Sequence, residues 1–176
     1  FPINGRDWVL MVLIATIGMF DGVHLGHKKI ISFLKEKASE LGLTPIVLTF
    51  NKHPRHVLHN DSEYFKLLNT EAERYRLLEN YGINDIFEID FTTETAALST
   101  YDFSKLYLLD LLNIKALVIG YDNMFGNKKV NDFKRIYELG EKYNFDIFEA
   151  SSYIYNDIQV SLTQIRNALN AGNMEL

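Results

Sequence analysis

Two histidines, His24 and His27, lie three residues apart in a stretch that also carries Gly18, Gly22 and Gly26. Glycines let the backbone approach a ligand closely, and the free N–H groups at the start of a helix attract anions. Imidazoles placed there can donate to phosphate oxygens and offset charge that develops during phosphoryl transfer. The pattern has neither the lysine of a P-loop nor the dinucleotide G-x-G-x-x-G spacing. It predicts a phosphate site of another type, although histidines alone more often only cap or pack.

A second polar segment follows the apolar run that ends at Phe50. Asn51, Lys52, His53 and Arg55 come directly after that run. Neighbouring strands of a parallel sheet bring their following loops together, so the lysine and arginine add positive potential beside the first loop. We predict that this segment contributes to the same site.

Two later segments carry further candidate ligand contacts. Asp122 can orient a ligand hydroxyl or ring nitrogen, and Phe125 can stack on a ring system. Ser161, Thr163 and Arg166 stand at the predicted start of the last helix, where hydroxyls and a planar guanidinium suit a second anion site. Each segment taken alone is also consistent with local capping and a solvated arginine.

Metal binding is a competing interpretation of the histidines. His53, His56 and His59 recur at every third residue, and together with His24 and His27 they suggest a histidine-ligated metallohydrolase. No carboxylate triad accompanies them, and the sequence has no Cys. We therefore expect no metal site formed by protein side chains, and we interpret His56 and His59 as ordinary loop residues.

The elements that must position these side chains alternate between β-rich runs and amphipathic stretches. The pattern predicts strands at residues 8–17, 45–50, 85–90, 115–120 and 145–150, and helices at 27–41, 70–81, 99–113, 131–143 and from 161 to 171. We predict an α/β fold, a three-layer Rossmann-like parallel sheet of about five strands flanked by helices. Ligands of such sheets bind at the carboxyl ends of the strands, where the polar segments lie.

Local signals set the helix ends and the buried helix faces. Thr70 with Glu73, and Ser161 with Gln164, form capping-box patterns. Glycines 42, 82 and 172 stand where helices end. The apolar spacing predicts buried faces formed by Ile30, Ile31, Leu34, Ala38 and Leu41, by Phe103, Leu106, Tyr107 and Leu109, and by Ile165, Ala168 and Leu169.

Composition limits the class of protein. The 176 residues are 47% hydrophobic and include no Cys, which fits one globular domain and excludes a disulfide scaffold. The net charge of -5 argues against non-specific nucleic-acid binding. Residues 1–60 nevertheless hold seven Lys and Arg against four Asp and Glu, and all five His, so an anion site belongs there. The apolar run at 8–17 is too short to cross a membrane, and we expect a cytoplasmic location.

The four segments together resemble the FMN adenylyltransferase module of bacterial FAD synthetase, a member of the HxGH nucleotidyltransferases. The most specific match is TIGMFDGVHLGH at 16–27, supported by TFNKHPR at 49–55, LLNTEAER at 67–74 and GYDNMFG at 120–126. The segment from Ser161 to Arg166 is similar to the second signature of the family, with Leu162 at the place of a serine. The matches follow the family order over nearly the whole chain.

The resemblance implies transfer of the adenylyl group of ATP to FMN, giving FAD and pyrophosphate. The FMN phosphate would attack the ATP α-phosphate directly and in line, with Mg²⁺ on the triphosphate. His24, His27 and Arg166 would be the catalytic residues. The nucleotide would be bound by Gly18, Phe20, Asp21, Gly22, Gly26, Ser161 and Thr163. The flavin would be bound by Asn51, His53, Arg55, Asp122 and Phe125.

The resemblance also implies a partner. Members of the family normally carry a riboflavin kinase module after the adenylyltransferase module. We expect residues 1–176 to form a single nucleotidyltransferase domain without that kinase, which would act in cis in a longer chain or in trans. No nucleic-acid partner and no membrane association is expected.

Two alternatives stay open at this stage. One is a different second substrate, since nicotinamide mononucleotide and phosphopantetheine are substrates of other nucleotidyltransferases. The other is a non-catalytic nucleotide- or flavin-binding relative, which is motivated by Leu162, Asn123 and Met124, because they depart from the family pattern.

Overall fold

A five-stranded parallel sheet forms the centre of the protein, whose structure is a computed structural model that describes residues 11–53, 57, 67–120, 133–152, 154–155, 158–159 and 162–172. The strands are β1 (Leu13–Ile17), β2 (Thr44–Phe50), β3 (Asp85–Ile89), β4 (Ala116–Gly120) and β5 (Asp146–Ala150). Their spatial order is β3-β2-β1-β4-β5. The predicted α/β fold with a parallel sheet of about five strands is confirmed.

Helices connect the strands. They are α1 (Leu25–Leu41), α2 (Glu71–Asn80), α3 (Thr93–Ala97), α4 (Thr100–Phe103), α5 (Phe133–Tyr143) and α6 (Leu162–Asn170). A π-helix (Ser104–Leu111) continues α4, and a two-stranded antiparallel hairpin of β6 (Ile154–Tyr155) and β7 (Ile158–Gln159) precedes α6.

The central strands β1, β2 and β4 are covered on both faces, which explains why they read as nearly continuous apolar runs, whereas the edge strand β5 is partly exposed. On β1, Leu13, Ala15 and Ile17 belong to one apolar core, while Ile14 points into a second. The first core includes side chains of the π-helix and α5, and the second includes Ile31, Leu34 and Ala38 of α1 and Leu78 of α2. The protein therefore has three layers with β1 in the middle of the central one.

The first strand is shorter than predicted. Pairing begins at Leu13, which is the register partner of Thr44 on β2, whereas Val12 is 50% exposed. Val12 precedes the paired residues, so its side chain lacks the cover that neighbouring strands and helices give to Leu13. Residues 8–10 of the predicted strand lie outside the described residues.

The helix predicted over 99–113 is interrupted, and its buried face differs from the prediction. At the end of the π-helix the N–H of Leu112 donates to the carbonyl of Tyr107, five residues back. Each such turn takes up an extra residue, so the inward positions become Phe103, Leu108 and Leu112. Leu106, predicted to be buried, is 47% exposed, while Tyr107 and Leu109 pack against the core as expected.

Two other apolar residues predicted to be buried lie at helix ends and are exposed instead. Leu41 in the last turn of α1 is 43% exposed, and Leu169 in the last turn of α6 is 44% exposed, while Ala168 next to it is buried. The capping box of Thr70 and Glu73 is confirmed in both directions, with Thr70 N donating to Glu73 Oε2 at 2.8 Å and Glu73 N donating to Thr70 Oγ1 at 3.3 Å. Ser161, the first residue of the other predicted box, lies outside the described residues.

Candidate functional site

A tight turn connects β1 to α1 at the carboxyl edge of the sheet. Gly18 N donates to Leu48 O of β2 at 3.0 Å, which ties the start of the turn to the neighbouring strand. The backbone then takes positive φ at Phe20 (51°), Gly22 (75°) and Val23 (35°). Phe20 and Val23 are buried, and packing of these side chains holds the two non-glycine residues in a conformation that L-residues rarely adopt.

Gly22 brings this turn against another segment of the protein. A Cβ atom at Gly22 would lie 2.8 Å from Cδ1 of Leu68, closer than side chains normally approach. The glycine therefore lets residues 67–69 pack onto the turn. Gly26, the other glycine expected to permit close approach, lies in the first turn of α1.

The two motif histidines stand together at the start of α1. His24 is the residue that precedes the helix, with φ -67° and ψ 175°, and His27 lies in its first turn. Their rings stack with centroids 3.7 Å apart and an angle of 24° between their planes. The ring of Phe20 lies 5.0 Å from that of His27. The predicted convergence of the glycine turn, the helix start and both imidazoles is thus present.

His27 is neutral at physiological pH. Burial, with a smaller contribution from the neighbouring His24, lowers the pKa of His27 to about 3. Its Nδ1 is buried and has no hydrogen-bond partner within the described part of the chain. A neutral imidazole has one N–H donor and one acceptor, so this ring can bind a phosphate oxygen without carrying a charge of its own.

Asp21 links the turn to the last helix. Its carboxylate Oδ2 accepts from Arg166 Nη2 at 2.6 Å, and Oδ1 accepts from the backbone N–H groups of Leu68 at 2.8 Å and Asn69 at 3.2 Å. Only 2% of the Asp21 side chain is exposed. Arg166 is thereby held at the loop that carries His24, although 142 residues separate the two in sequence.

Arg74 is a structural residue of this edge to which the sequence motif at 67–74 assigns no role. It is 3% exposed, and its guanidinium donates to Met19 O at 3.3 Å and Phe50 O at 3.0 Å. These carbonyls follow β1 and end β2, so Arg74 joins both loops to α2. The available signal was its spacing four residues before Leu78, on the buried face of the helix.

The segment after β2 is tied to β3. Asn51 Nδ2 donates to Asp90 Oδ1 at 2.7 Å, and Asn51 Oδ1 accepts from Phe91 N at 3.0 Å. The hydrogen bond from Asn51, and then the nearby Lys52, lower the pKa of the Asp90 carboxyl. His53 follows, half-buried, at the same edge. The amide of Asn51 thus makes contacts within the protein that a ligand would have to share or displace.

Several predicted site residues are not among the residues that the structure describes. Arg55, Asp122, Phe125 and Ser161 lie outside the described residues, as do His56, His59, Asn123 and Met124. Thr163 is exposed near the start of α6. Among the described residues, no group of three His, Cys, Asp or Glu side chains is placed to hold a metal ion.

A groove of about 580 Å³ runs beside the start of α1. Its lining consists of Leu25, Lys28, Lys29, Ser32, Ser152 and Ile154. Lys29 Nζ donates to Ser152 O at 2.9 Å, which joins the helix to the segment after β5. Leu25 and Ile154 expose apolar surface there, so the groove offers both apolar contacts and positive charge.

No helix in the described ranges is long and apolar enough to cross a membrane.

Comparison with known proteins gives a consistent result. The family model described as FAD synthetase matches residues 9–164. A protein of Buchnera aphidicola subsp. Schizaphis graminum, named bifunctional riboflavin kinase/FMN adenylyltransferase, is 35% identical over 92% of this chain and 52% of its own length. A Bacillus subtilis protein of the same name is 34% identical over 93% of this chain and 51% of its own. The chain spans about half the length of the curated relatives it matches.

A solved structure shares the fold. A crystal structure of a Streptococcus pneumoniae protein described as a macrolide-efflux protein superposes with a TM-score of 0.79 at 25% identity. The match covers 97% of this chain and 56% of that chain. The arrangement of strands and helices described above therefore recurs in an experimentally determined structure.

Proposed function

Because the chain belongs to the FAD synthetase family, we propose that it transfers the adenylyl group of ATP to FMN, giving FAD and pyrophosphate. The observation that carries the proposal is the stacked pair of His24 and His27 at the start of α1, beside a loop that also holds Arg166. Imidazoles, helix N–H groups and a guanidinium at one edge of a parallel sheet suit a polyphosphate. Relatives named for FMN adenylyltransferase support the choice of reaction.

The reaction is a direct displacement. A phosphate oxygen of FMN attacks the α-phosphorus of ATP in line, and the bond from that phosphorus to the bridging oxygen of pyrophosphate breaks. His24 and His27 bind the α-phosphate and the departing pyrophosphate, and Arg166 binds the β/γ end. The protein contributes position and charge stabilisation and forms no covalent intermediate.

Mg²⁺ enters this scheme with the nucleotide. The described residues do not fit a resident magnesium site, because Asp21, the carboxylate of the turn, is bonded to Arg166 and two backbone N–H groups. Mg²⁺ is commonly held by substrate phosphates and water, with few protein ligands.

We place both substrates at the carboxyl edge of the sheet, in contact with different loops. The groove beside α1 lies towards the segment after β5, and we assign it to the adenosine part of ATP, whose ring can rest against Leu25 and Ile154. FMN lies near Asn51 and His53, after β2, with Arg55 as a further contact. Asp122 and Phe125, which follow β4 in the sequence, are the other proposed flavin contacts. Ligands of open α/β sheets bind at the carboxyl edge, in the crevice where the strand order reverses. In this sheet the reversal lies between β1 and β4.

A riboflavin kinase is the proposed partner. The relatives are named as bifunctional enzymes, and the chain spans about half of their length. Riboflavin kinase produces FMN, the substrate proposed here. The kinase acts in cis in a longer chain or in trans as a separate protein.

The proposal is tested by incubating the purified chain with ATP and Mg²⁺ and one acceptor at a time. The acceptors are FMN, riboflavin, nicotinamide mononucleotide and phosphopantetheine. We expect equal amounts of FAD and pyrophosphate with FMN only, measured by chromatography and a coupled pyrophosphate assay. Product from nicotinamide mononucleotide or phosphopantetheine in place of FAD would identify another nucleotidyltransferase. Stoichiometric ATP or FMN binding without pyrophosphate release would indicate a non-catalytic binding protein.

A further inference from the structure

The turn after β1 carries a buried negative charge where the proposed function requires a polyanion. Asp21 lies three residues before His24, and its carboxylate is almost completely withdrawn from solvent. A carboxylate exposed at this position would repel a triphosphate. Here both carboxylate oxygens are bonded to the protein, to one guanidinium and two backbone N–H groups. The charge is thus compensated before any nucleotide binds.

The bonds of Asp21 divide into two sets with different consequences. Oδ1 accepts from Leu68 N and Asn69 N, which fixes the segment before α2. Oδ2 accepts from Arg166 Nη2, which fixes one arm of a guanidinium fork on α6. An arginine held by such a bond keeps its charge and its plane in a defined place, and loses less conformational freedom when it meets an anion.

We propose that Asp21 is a positioning residue, whose carboxylate holds the Arg166 guanidinium beside the His24 loop so that it meets the β/γ-phosphates of ATP. The inference rests on the proposed adenylyl transfer and adds a residue that acts on the nucleotide only through Arg166. It also assigns Asp21 a role different from direct contact with the nucleotide.

Asp21→Asn separates the two sets of bonds. The amide oxygen of asparagine still accepts from Leu68 N and Asn69 N, so the loop anchor is retained. The amide nitrogen replaces Oδ2 and presents a donor to Arg166, which has only donors itself. Asp85→Asn is the matched control, because Asp85 is 3% exposed and lies at the amino edge of the sheet, at the start of β3.

The test is steady-state FAD formation by the wild type, D21N, R166A, the double variant D21N/R166A and D85N. We expect D21N to lower kcat/KM for ATP at least tenfold while KM for FMN stays within twofold of wild type. The double variant should be no slower than R166A alone, since Asp21 has nothing left to position. D85N should match the wild type. Wild-type values of kcat/KM in D21N, or losses that multiply in the double variant, would overturn the proposal.

A second readout keeps this inference separate from the proposed function. If the wild type forms no FAD, adenylyl transfer fails, and ATP binding by calorimetry without acceptor then tests Asp21 on its own. D21N must bind ATP at least tenfold more weakly than D85N, and the effect must vanish when Arg166 is already alanine. Equal ATP affinity in D21N and D85N overturns the inference.

Folding of D21N is checked by thermal unfolding and near-ultraviolet circular dichroism. If D21N does not fold, R166K carries the test, because it leaves the Asp21 bonds to Leu68 and Asn69 in place. One ammonium group has no fork with which to pair with Asp21 and phosphate in the same geometry. We expect R166K to lose at least tenfold in kcat/KM or affinity for ATP. Wild-type values in R166K would overturn the proposal.

Discussion

The imidazole rings of His24 and His27 stack on each other, with centroids 3.7 Å apart and planes 24° from parallel. The contact crosses the boundary between the turn and α1, since His24 precedes the helix and His27 lies within its first turn. The ring of Phe20, a residue with positive φ, packs against the ring of His27. The strained turn and the helix start therefore hold the two rings as one unit.

Replacing His27 by alanine should abolish most FAD formation and leave the protein folded. The variant loses a donor aimed at charge that develops during transfer, and loss of one such donor typically costs about 10²–10³ in turnover. The measurement is kcat for FAD formation at saturating ATP and FMN.

Lys37→Ala is the control for that variant, because Lys37 lies on the same helix and pairs with Glu40 on its outer surface. Its turnover should equal that of the wild type. Near-normal turnover in H27A, with thermal unfolding unchanged, would show that His27 does not take part in the reaction.

The stability of the protein should fall in mild acid because of His27. Its pKa is about 3 in the folded protein, against an ordinary value of 6.5 for an unfolded chain. Between these values the unfolded state binds more protons, so the free energy of unfolding decreases as pH falls from 6.5 towards 3. Above pH 6.5 both states are neutral at this residue and the effect disappears.

Urea unfolding at pH 7.5, 6 and 5 measures this effect. Between pH 6 and 5 the wild type should lose about 1 kcal/mol more than His27→Gln, which has no group to protonate. Identical pH dependence in the two proteins would mean that His27 is accessible to protons in the folded state.

Gly22→Ala should destabilise the protein more than an alanine at another left-handed glycine. Gly22 has φ 75°, and its added Cβ would meet Leu68 Cδ1 at 2.8 Å. Gly42 has φ 66° at the end of α1 and has no atom within 4 Å of the corresponding position. We expect a loss of about 1 kcal/mol in G42A from conformation alone, and about 2–4 kcal/mol in G22A, where overpacking adds to it.

Leu68→Ala combined with G22A identifies the cause. If the Leu68 side chain is the obstacle, the double variant should lose less free energy of unfolding than the two single variants lose together. Chemical denaturation measures these losses. Strictly additive losses would instead attribute the whole effect at Gly22 to its backbone conformation.

Arg74→Lys should be costly although it conserves charge. The guanidinium reaches both Met19 O and Phe50 O, and the buried lysine would leave at least one carbonyl without its donor. We expect the free energy of unfolding to fall by about 2–4 kcal/mol. Arg76→Lys, on the exposed face of the same helix, should change it by less than about 0.5 kcal/mol. Equal stability of the two variants would contradict the bridging role of Arg74.

The sequence was sufficient for features that depend on neighbours along the chain. The strands read as apolar runs because both faces are buried, and the Thr70 and Glu73 capping box is complete within four residues. The two histidines could be predicted to stand together because their spacing is less than one helical turn. Leu106 shows the limit of this reasoning, because an α-helical period does not predict the wider turn of a π-helix.

Features that join distant segments could not be read in the same way. The bond between Asp21 and Arg166 and the position of Arg74 between two loops depend on which segments meet at the sheet edge. The spacing of charged residues along the sequence does not show which of them pair in the fold. The sequence predicts Asp21 as a ligand contact, and that stays a prediction; the bonds of Asp21 to Arg166, Leu68 and Asn69 have no signal in the sequence.

The strand order has a consequence for synthesis of the protein. β1, the histidine turn and β2 lie together within residues 13–50 and leave the ribosome early, but β4 pairs with β1 only after Ala116–Gly120 has emerged. Arg166 follows another 46 residues later. Its bond to Asp21 closes a loop of more than 140 residues, a late event because loop closure must be compensated by contacts already formed. A nascent chain therefore carries its histidines long before the arginine that Asp21 binds.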